Sequence, residues 1–425
     1  MKPGTRRRGT TTARLTRRNA RRLGAVCSAL GALVITSATL APEAAAVDIR
    51  SKQWYLDTMR AQELWKISTG KGVKVAVIDS GVNPETPSLK GQVLVDEVPT
   101  SVAYHVTQDY DGHGTSMAEL IAGTGAGGGI KGVAPDAKII PFRVALGGLK
   151  DAKEKSKTAD EAHAIRAAAD TDAKIINMSF GGIYPDSEMK DAMKYAASKG
   201  KLMFASVGNG GSGKNESEYP ASYPYANGVA ALDKNGTVGK FSTHGDDVDL
   251  AAPGVDLPIW CDSTFTEYCD SGGTSQAAAI ASASAALVWS VHPDWTGNQV
   301  LRSLIDTAGR SWPKSKPSNY LGYGIVRPRR VLIAKNINPG PANEDPLAYE
   351  NYDGPSGSPT PPSSPSPSSG RPAKEAGSSG SSNSAAAKKS DSGDNTQTWV
   401  IIGAAAAVLV AGGAGFAVLR ARRNA

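Results

Sequence analysis

Cysteine is scarce: the chain carries three in 425 residues. Cys27 falls in an N-terminal stretch with the marks of a targeting segment, so Cys261 and Cys269, eight positions apart, are left for the exported protein. Two lone thiols without further ligands exclude a structural zinc site, and in an oxidising compartment they are expected to pair. Asp, Glu and His offer no defensible metal spacing either, so no metal or cofactor is expected. Internal repeats are missing, and so is any nucleic-acid-binding motif.

The positive charge, +7 overall, is confined to one end. Residues 1–46 hold nine cations and one acid, Glu43, while the remainder has 38 cations against 39 acids. A near-neutral body lacks the basic surface that a polyanion needs, so nucleic acid is excluded as an expected partner. The cations lead into the mostly apolar run Leu23–Leu40 and then Ala44, Ala45 and Ala46, the layout of a secretory signal peptide cleaved after Ala46. Arginine pairs at Arg17–Arg18 and Arg21–Arg22 suit general and twin-arginine signals equally, which leaves the export route open. At the other end Trp399–Leu419 runs 21 residues without a charge. At about 1.5 Å per residue that crosses a hydrocarbon core of about 30 Å. Arg420, Arg422 and Arg423 follow, and the positive-inside rule puts them in the cytoplasm and everything upstream outside.

Between these ends, residues 338–398 turn to Pro, Ser, Gly and Ala, with too few large apolar side chains to offset chain entropy; a disordered stalk is expected. Residues 47–72 form an N-terminal extension too short to fold as a pro-domain. The folded domain is expected over 73–337, followed beyond the stalk by the membrane helix 399–419 and the tail 420–425. Within it, apolar runs such as VKVAVID, KIIPFRV, AKIINMSF and LMFASVG alternate with the amphipathic stretches HGTSMAELIAG, EAHAIRAAAD and EMKDAMKYAAS. That alternation predicts an α/β domain with a mainly parallel central sheet and helices on both faces. Active crevices in such sheets open beyond the carboxyl ends of the strands.

Polar residues stand at those ends. Asp79 closes VKVAVID; His113 sits between glycines in DGHGTSMAELIAG; Asn209 ends LMFASVGN; Ser275 opens a helix of almost nothing but Ala, Ser and Val. Singly, each has a plainer role: Asp79 and Asn209 as turn formers, His113 and Ser275 as helix caps. Together, in the order Asp, His, Asn, Ser and each framed by glycine, they exceed coincidence.

In VIDSGV, DGHGTS, NMSFGG, GN and GGTS, spread from about Gly72 to Ala308, the chain resembles the subtilases, the subtilisin-like serine proteases. The resemblance implies a serine endopeptidase working through an acyl-enzyme. It makes Ser275 the nucleophile, His113 the general base and then acid, Asp79 the group that orients the imidazolium, and Asn209 an oxyanion donor. Ser179, Phe180 and Gly181 would pair with an extended polypeptide substrate. Departures from the family pattern are Ser116 and Glu119 on the His113 helix, and Gln276 and Ala279 after Ser275. Signal, short extension, stalk and terminal anchor make the chain similar to the mycosins, which implies type VII secretion components as partners. A second reading is a docking subunit of a membrane secretion complex built on the same fold; a third is ester or thioester hydrolysis. Activity should rise as His113 loses its proton, near pH 6.5 to 7 at the reference pKa.

Overall fold

The strand β1 (Lys74–Asp79) is buried along its length from Val75 to Asp79, which only a central strand covered on both faces allows. The computed structural model describes residues 49–349 and 351, and in it β1 lies inside a sheet ordered β2-β1-β3-β4-β5-β6. The other strands are β2 (Lys138–Arg143), β3 (Ile175–Met178), β4 (Leu202–Ser206), β5 (Ala226–Leu232) and β6 (Leu250–Pro253). All five neighbouring pairs are parallel. From β1 the chain crosses to one side for β2, returns to the other side for β3, and then adds strands outward. The carboxyl ends of β1 and β3 therefore flank the switch point, where a crevice must open because successive crossovers diverge.

Alternation along β1 divides the core. Val75 and Val77 face α1 (His113–Ala122) and α4 (Thr274–Val291), whereas Ala76 and Ile78 face α2 (Glu161–Ala169) and α3 (Ser187–Ser198). Every residue of α4 from Thr274 to Trp289 is buried, and its Ala and Ser side chains let it lie flat against β3 to β6. A two-stranded antiparallel hairpin, β7 (Leu257–Trp260) with β8 (Tyr268–Ser271), stands apart from the main sheet. Cys261 and Cys269, at its tip, are joined as a disulfide.

Both domain edges extend beyond the compositional limits. Within the extension Tyr55, Leu56, Ala61 and Leu64 are buried in the α1/α4 core, and Trp65 Nε1 donates to the Val133 carbonyl at 2.9 Å. At the far edge, residues 338–349 and 351 were assigned by composition to the stalk, yet they lie on the domain. α5 (Gly297–Thr307) and its cap hold them: Gln299 donates to the Gly340 carbonyl, Arg302 to that of Glu344, and Thr296 to that of Ala342. Leu347 is buried at 3 % exposure, and a single apolar anchor of this kind is easily lost in a window average. The signal segment 1–46, the rest of the stalk, the candidate membrane helix 399–419 and the tail 420–425 lie outside the described residues. Among the described residues no helix is long and apolar enough to cross a membrane.

If the extension is part of the core, Leu64→Ala should cost about 2–5 kcal/mol, as for other fully buried leucines. Urea unfolding of the two proteins checks this, and a change below about 1 kcal/mol would make the extension a dispensable tail.

Candidate active site

Asp79 is the last residue of β1 and is fully buried. Its Oδ1 accepts the Ser80 amide at 2.8 Å and His113 Nδ1 at 2.7 Å. A carboxylate only accepts, so Nδ1 carries the proton and Nε2 is the ring nitrogen left to the cleft. The imidazole belongs to the first residue of α1, and the start of that helix is tied down by three side chains. Asp111 Oδ1 accepts the His113 amide at 2.8 Å, Ser80 Oγ that of Gly114 at 2.9 Å, and Asp109 Oδ2 that of Thr115 at 2.8 Å. Amides at a helix start have no partner inside the helix, and these caps fix the ring's position as they satisfy them.

Asp109 is the hub of this turn. Buried at 7 % exposure, it also accepts the Gly112 amide at 2.9 Å, the Ser80 hydroxyl at 2.8 Å and the Thr115 hydroxyl at 2.6 Å. Gly112 adopts φ 88°, and a side chain there would strike the Asp262 carbonyl of the hairpin tip. Sequence reasoning passed over Asp109 and Ser80; an acid just upstream of a helix start was the available signal.

Burial alone would lower the His113 pKa, but the Asp79 charge and hydrogen bond, with Asp111 and Asp109 behind them, outweigh it and push the group up to about 9. The titration near 6.5 to 7 expected from the reference value is thereby corrected upward, because the acids that surround the ring converge only in the folded chain.

Ser275 is the second residue of α4 and 8 % exposed. Its hydroxyl donates to the Ser179 carbonyl at 2.9 Å rather than to the imidazole. Ser179 Oγ donates back to the Ser275 carbonyl at 2.9 Å and accepts Asn177 Nδ2 at 2.9 Å, while Ser282 Oγ donates to Asn177 Oδ1 at 3.0 Å. A buried polar ladder thus locks the start of α4 to the end of β3. Asn209 follows β4, and its Oδ1 accepts the Thr274 amide at 3.0 Å and the Thr274 hydroxyl at 3.1 Å. With Oδ1 so engaged, Nδ2 is the amide atom left to donate.

After β3, Ser179 and Phe180 are buried and the chain is exposed from Gly181 onward. Gly182 and Tyr219 exchange hydrogen bonds of 3.0 and 2.8 Å, and the Phe180 carbonyl accepts Ser206 Oγ at 3.2 Å. His113, Ser179, Phe180, Gly181, Asn209 and Ser275 all line one cleft of about 560 Å³, with Asp79 buried behind the imidazole. Residues 196 positions apart in sequence, Asp79 and Ser275, reach this cleft from opposite sides of the switch point. Among the described residues no group of three or more His, Cys, Asp or Glu side chains is gathered to hold a metal.

Two departures noted in the sequence prove to be the hairpin's attachments. Ser116 Oγ accepts the Trp260 amide at 3.0 Å and donates to the Gly112 carbonyl at 2.7 Å. Glu119, fully buried, accepts from Thr86 Oγ1 at 2.8 Å and from Tyr268 Oη at 2.9 Å. Both side chains project from α1, so the disulfide-bearing hairpin is fastened to the helix that carries His113.

A parallel sheet with α1 and α4 on one face, and a helix-start serine lining the same cleft as a carboxylate-bound imidazole at its switch point, are the features of a subtilisin-like serine peptidase. The Subtilase family matches residues 70–324, and the chain belongs to that family. Thermitase of Thermoactinomyces vulgaris is 37 % identical over 235 residues, covering 53 % of this chain and 78 % of the relative. Among solved structures, MycP1 from Mycobacterium smegmatis is 28 % identical with a TM-score of 0.55, covering 68 % of this chain and 86 % of that one. The MycP3 protease from the type VII (ESX-3) secretion system is 29 % identical with a TM-score of 0.54, covering 66 % and 88 %. Mycosins are thus among its structural neighbours.

Burial pushes the Glu119 carboxyl up to about 7, outweighing the hydroxyls of Thr86 and Tyr268 that favour its charged form. A folded pKa above the unfolded value of about 4.5 means stability that is whole below pH 4.5 and lost as pH rises through 7. Glu119→Gln keeps the shape and removes the proton, so denaturant titrations across that window should show a slope in the wild type and a flatter line in the variant. Equal slopes would contradict the assignment.

Proposed function

We propose that the chain is an exported serine endopeptidase that attacks peptide carbonyls through Ser275, with His113 as base and Asp79 as its partner. The observation that carries the reading is the 2.7 Å bond from His113 Nδ1 to buried Asp79, with Ser275 in the same cleft. Serine is a weak nucleophile until an imidazole takes its proton. For that step the Ser275 hydroxyl leaves the Ser179 carbonyl and turns to Nε2; catalytic hydrogen bonds commonly tighten only when substrate is bound. Asp79 holds the ring in the required tautomer and stabilises the imidazolium, which then protonates the leaving amine.

Charge develops on the carbonyl oxygen, and two donors are placed to receive it in this reading: Asn209 Nδ2 and the Ser275 amide, which lies in the first turn of α4 without an intrahelical partner. The substrate backbone would add along Ser179–Gly181. Gly181 is exposed and makes no main-chain hydrogen bond among the described residues, as a strand-adding edge requires.

Tethering rests on the sequence: a signal over 1–46, the 21 uncharged residues Trp399–Leu419 and the arginines after them. With the catalytic domain outside and the C-terminus cytoplasmic, the enzyme would work at the cell surface. The likeness to MycP1 and MycP3 supports a place beside a type VII secretion assembly, and it is also what favours the second reading, a docking role on the same fold. A chain ending at residue 398 should leave the membrane fraction; retention there would refute the tether.

Kinetics test the chemistry. Ser275→Ala should lower peptide turnover by at least about 10⁴-fold, and Asn209→Ala should lower kcat by about 10²–10³-fold. Because only neutral His113 can accept a proton, kcat/KM should rise with pH toward a midpoint near 9. Turnover that survives Ser275→Ala would overturn the reading, and a midpoint at 6.5 would show that the acids around the ring do not hold its proton.

A further inference from the structure

The mechanism above leaves several acids of the cleft without a task, and one of them is held against its glycines. Glu218 stands just before Tyr219, half-buried, and its carboxylate is wedged between the two glycines that bound the cleft. A methyl group at Gly181 or at Gly208 would collide with its oxygens. Among the described residues, the main-chain amide of Asn209 is the partner that favours the charged form of the carboxylate. Burial holds the carboxyl above the usual carboxylate range in spite of that amide, and no described Lys or Arg compensates the charge.

Position says which part of a substrate would meet it. Gly181 belongs to the edge proposed to carry the substrate backbone, and Gly208 precedes the oxyanion donor Asn209. Glu218 touches both, which sets it beside the residue whose carbonyl is attacked. The acids that act on His113 are Asp79, Asp111 and Asp109, not Glu218, so it stands away from the leaving-group side. Around the mouth, Asp111, Glu161 and Asp186 add negative charge, while the lining includes no Lys or Arg.

We propose that Glu218 is a specificity-determining residue of this cleft, selecting substrates with arginine or lysine at the residue that supplies the scissile carbonyl. A guanidinium or ammonium reaching that carboxylate from the cleft would neutralise it, whereas an acidic side chain would add a second like charge there. This rests on the reading of the cleft as a peptidase site.

The test uses the full chain and three labelled peptides that differ only in Arg, Gln or Glu at the position fixed by mapping wild-type cleavage. Turnover is read with the wild type, and binding by fluorescence polarisation with Ser275→Ala. The Arg peptide should exceed the Gln peptide by about 10- to 100-fold, with the Glu peptide last. Glu218→Gln keeps an acceptor for the Asn209 amide and should collapse the Arg/Gln ratio to about one; Glu218→Lys should reverse the order in favour of Glu. A merely structural role would weaken all three peptides alike and leave the ratio standing, which would overturn the proposal, as would a wild type with no cationic preference. Arg preference in binding without any turnover would refute the peptidase reading and uphold Glu218 as the selector. Turnover with equal binding of all three would refute Glu218 alone.

Discussion

One hydrogen bond organises this molecule: Asp79 at the end of β1 to His113 at the start of α1, 2.7 Å long and closed off from solvent on the carboxylate side. A buried carboxylate is tolerable only where donors surround it. Here the Ser80 amide and the imidazole supply them at Oδ1, and the imidazole does so because α1 starts in one place. That place is fixed in turn by Asp109, whose carboxylate gathers the turn from Gly112 to Thr115 and the Ser80 hydroxyl. Chemistry and local folding therefore share the same bonds. The same acids that pin the ring also favour its protonated form and push the His113 pKa up to about 9.

The sheet supplies the second constraint. At its switch point β1 and β3 diverge in their crossovers, and α4 enters the gap with its N-terminus toward the cleft. Its near-total burial needs side chains no larger than most of those it has, and its polar start is paired residue by residue with β3 through Ser179, Asn177 and Ser282. A serine so placed has its hydroxyl at the cleft, with Asn209 held against the Thr274 amide at its flank. In the proposed reading, affinity for an extended backbone comes from the neighbouring edge, and discrimination between side chains falls to what lines the walls.

Much of this was legible before any coordinates, for reasons particular to the residues. β1 to β5 correspond to mostly apolar runs, and the helices of His113, Glu161 and Ser187 read as amphipathic stretches with polar starts. Asp79, His113, Asn209 and Ser275 stood out because glycine framed each of them. β6 did not, being four residues long and ending in Pro253, nor did β7 and β8, where Pro258 and Asp270 break any pattern. Glu218 was invisible for a different cause, since its role depends on what the fold brings to it from other segments, and Asp109 and Ser80 showed no more than an acid and a hydroxyl near a helix start. The domain edge was misjudged where Leu347 and Asn351 dock within an otherwise low-complexity tract, Asn351 Oδ1 accepting the Tyr225 amide at 2.6 Å. Ser116 and Glu119 were recognised as unusual, but only the hairpin packed against them explains why they are polar.

The claim beneath all of this is that a single serine hydroxyl in the cleft is activated by the imidazole beside it. Treating the wild-type protein with a peptidyl phosphonate, which reacts only with an activated serine, and mapping the adduct by mass spectrometry tests that claim directly. The account predicts one adduct, on Ser275, forming faster as pH rises through the titration of His113. An adduct on another residue, or none while a control serine peptidase is labelled, would contradict it.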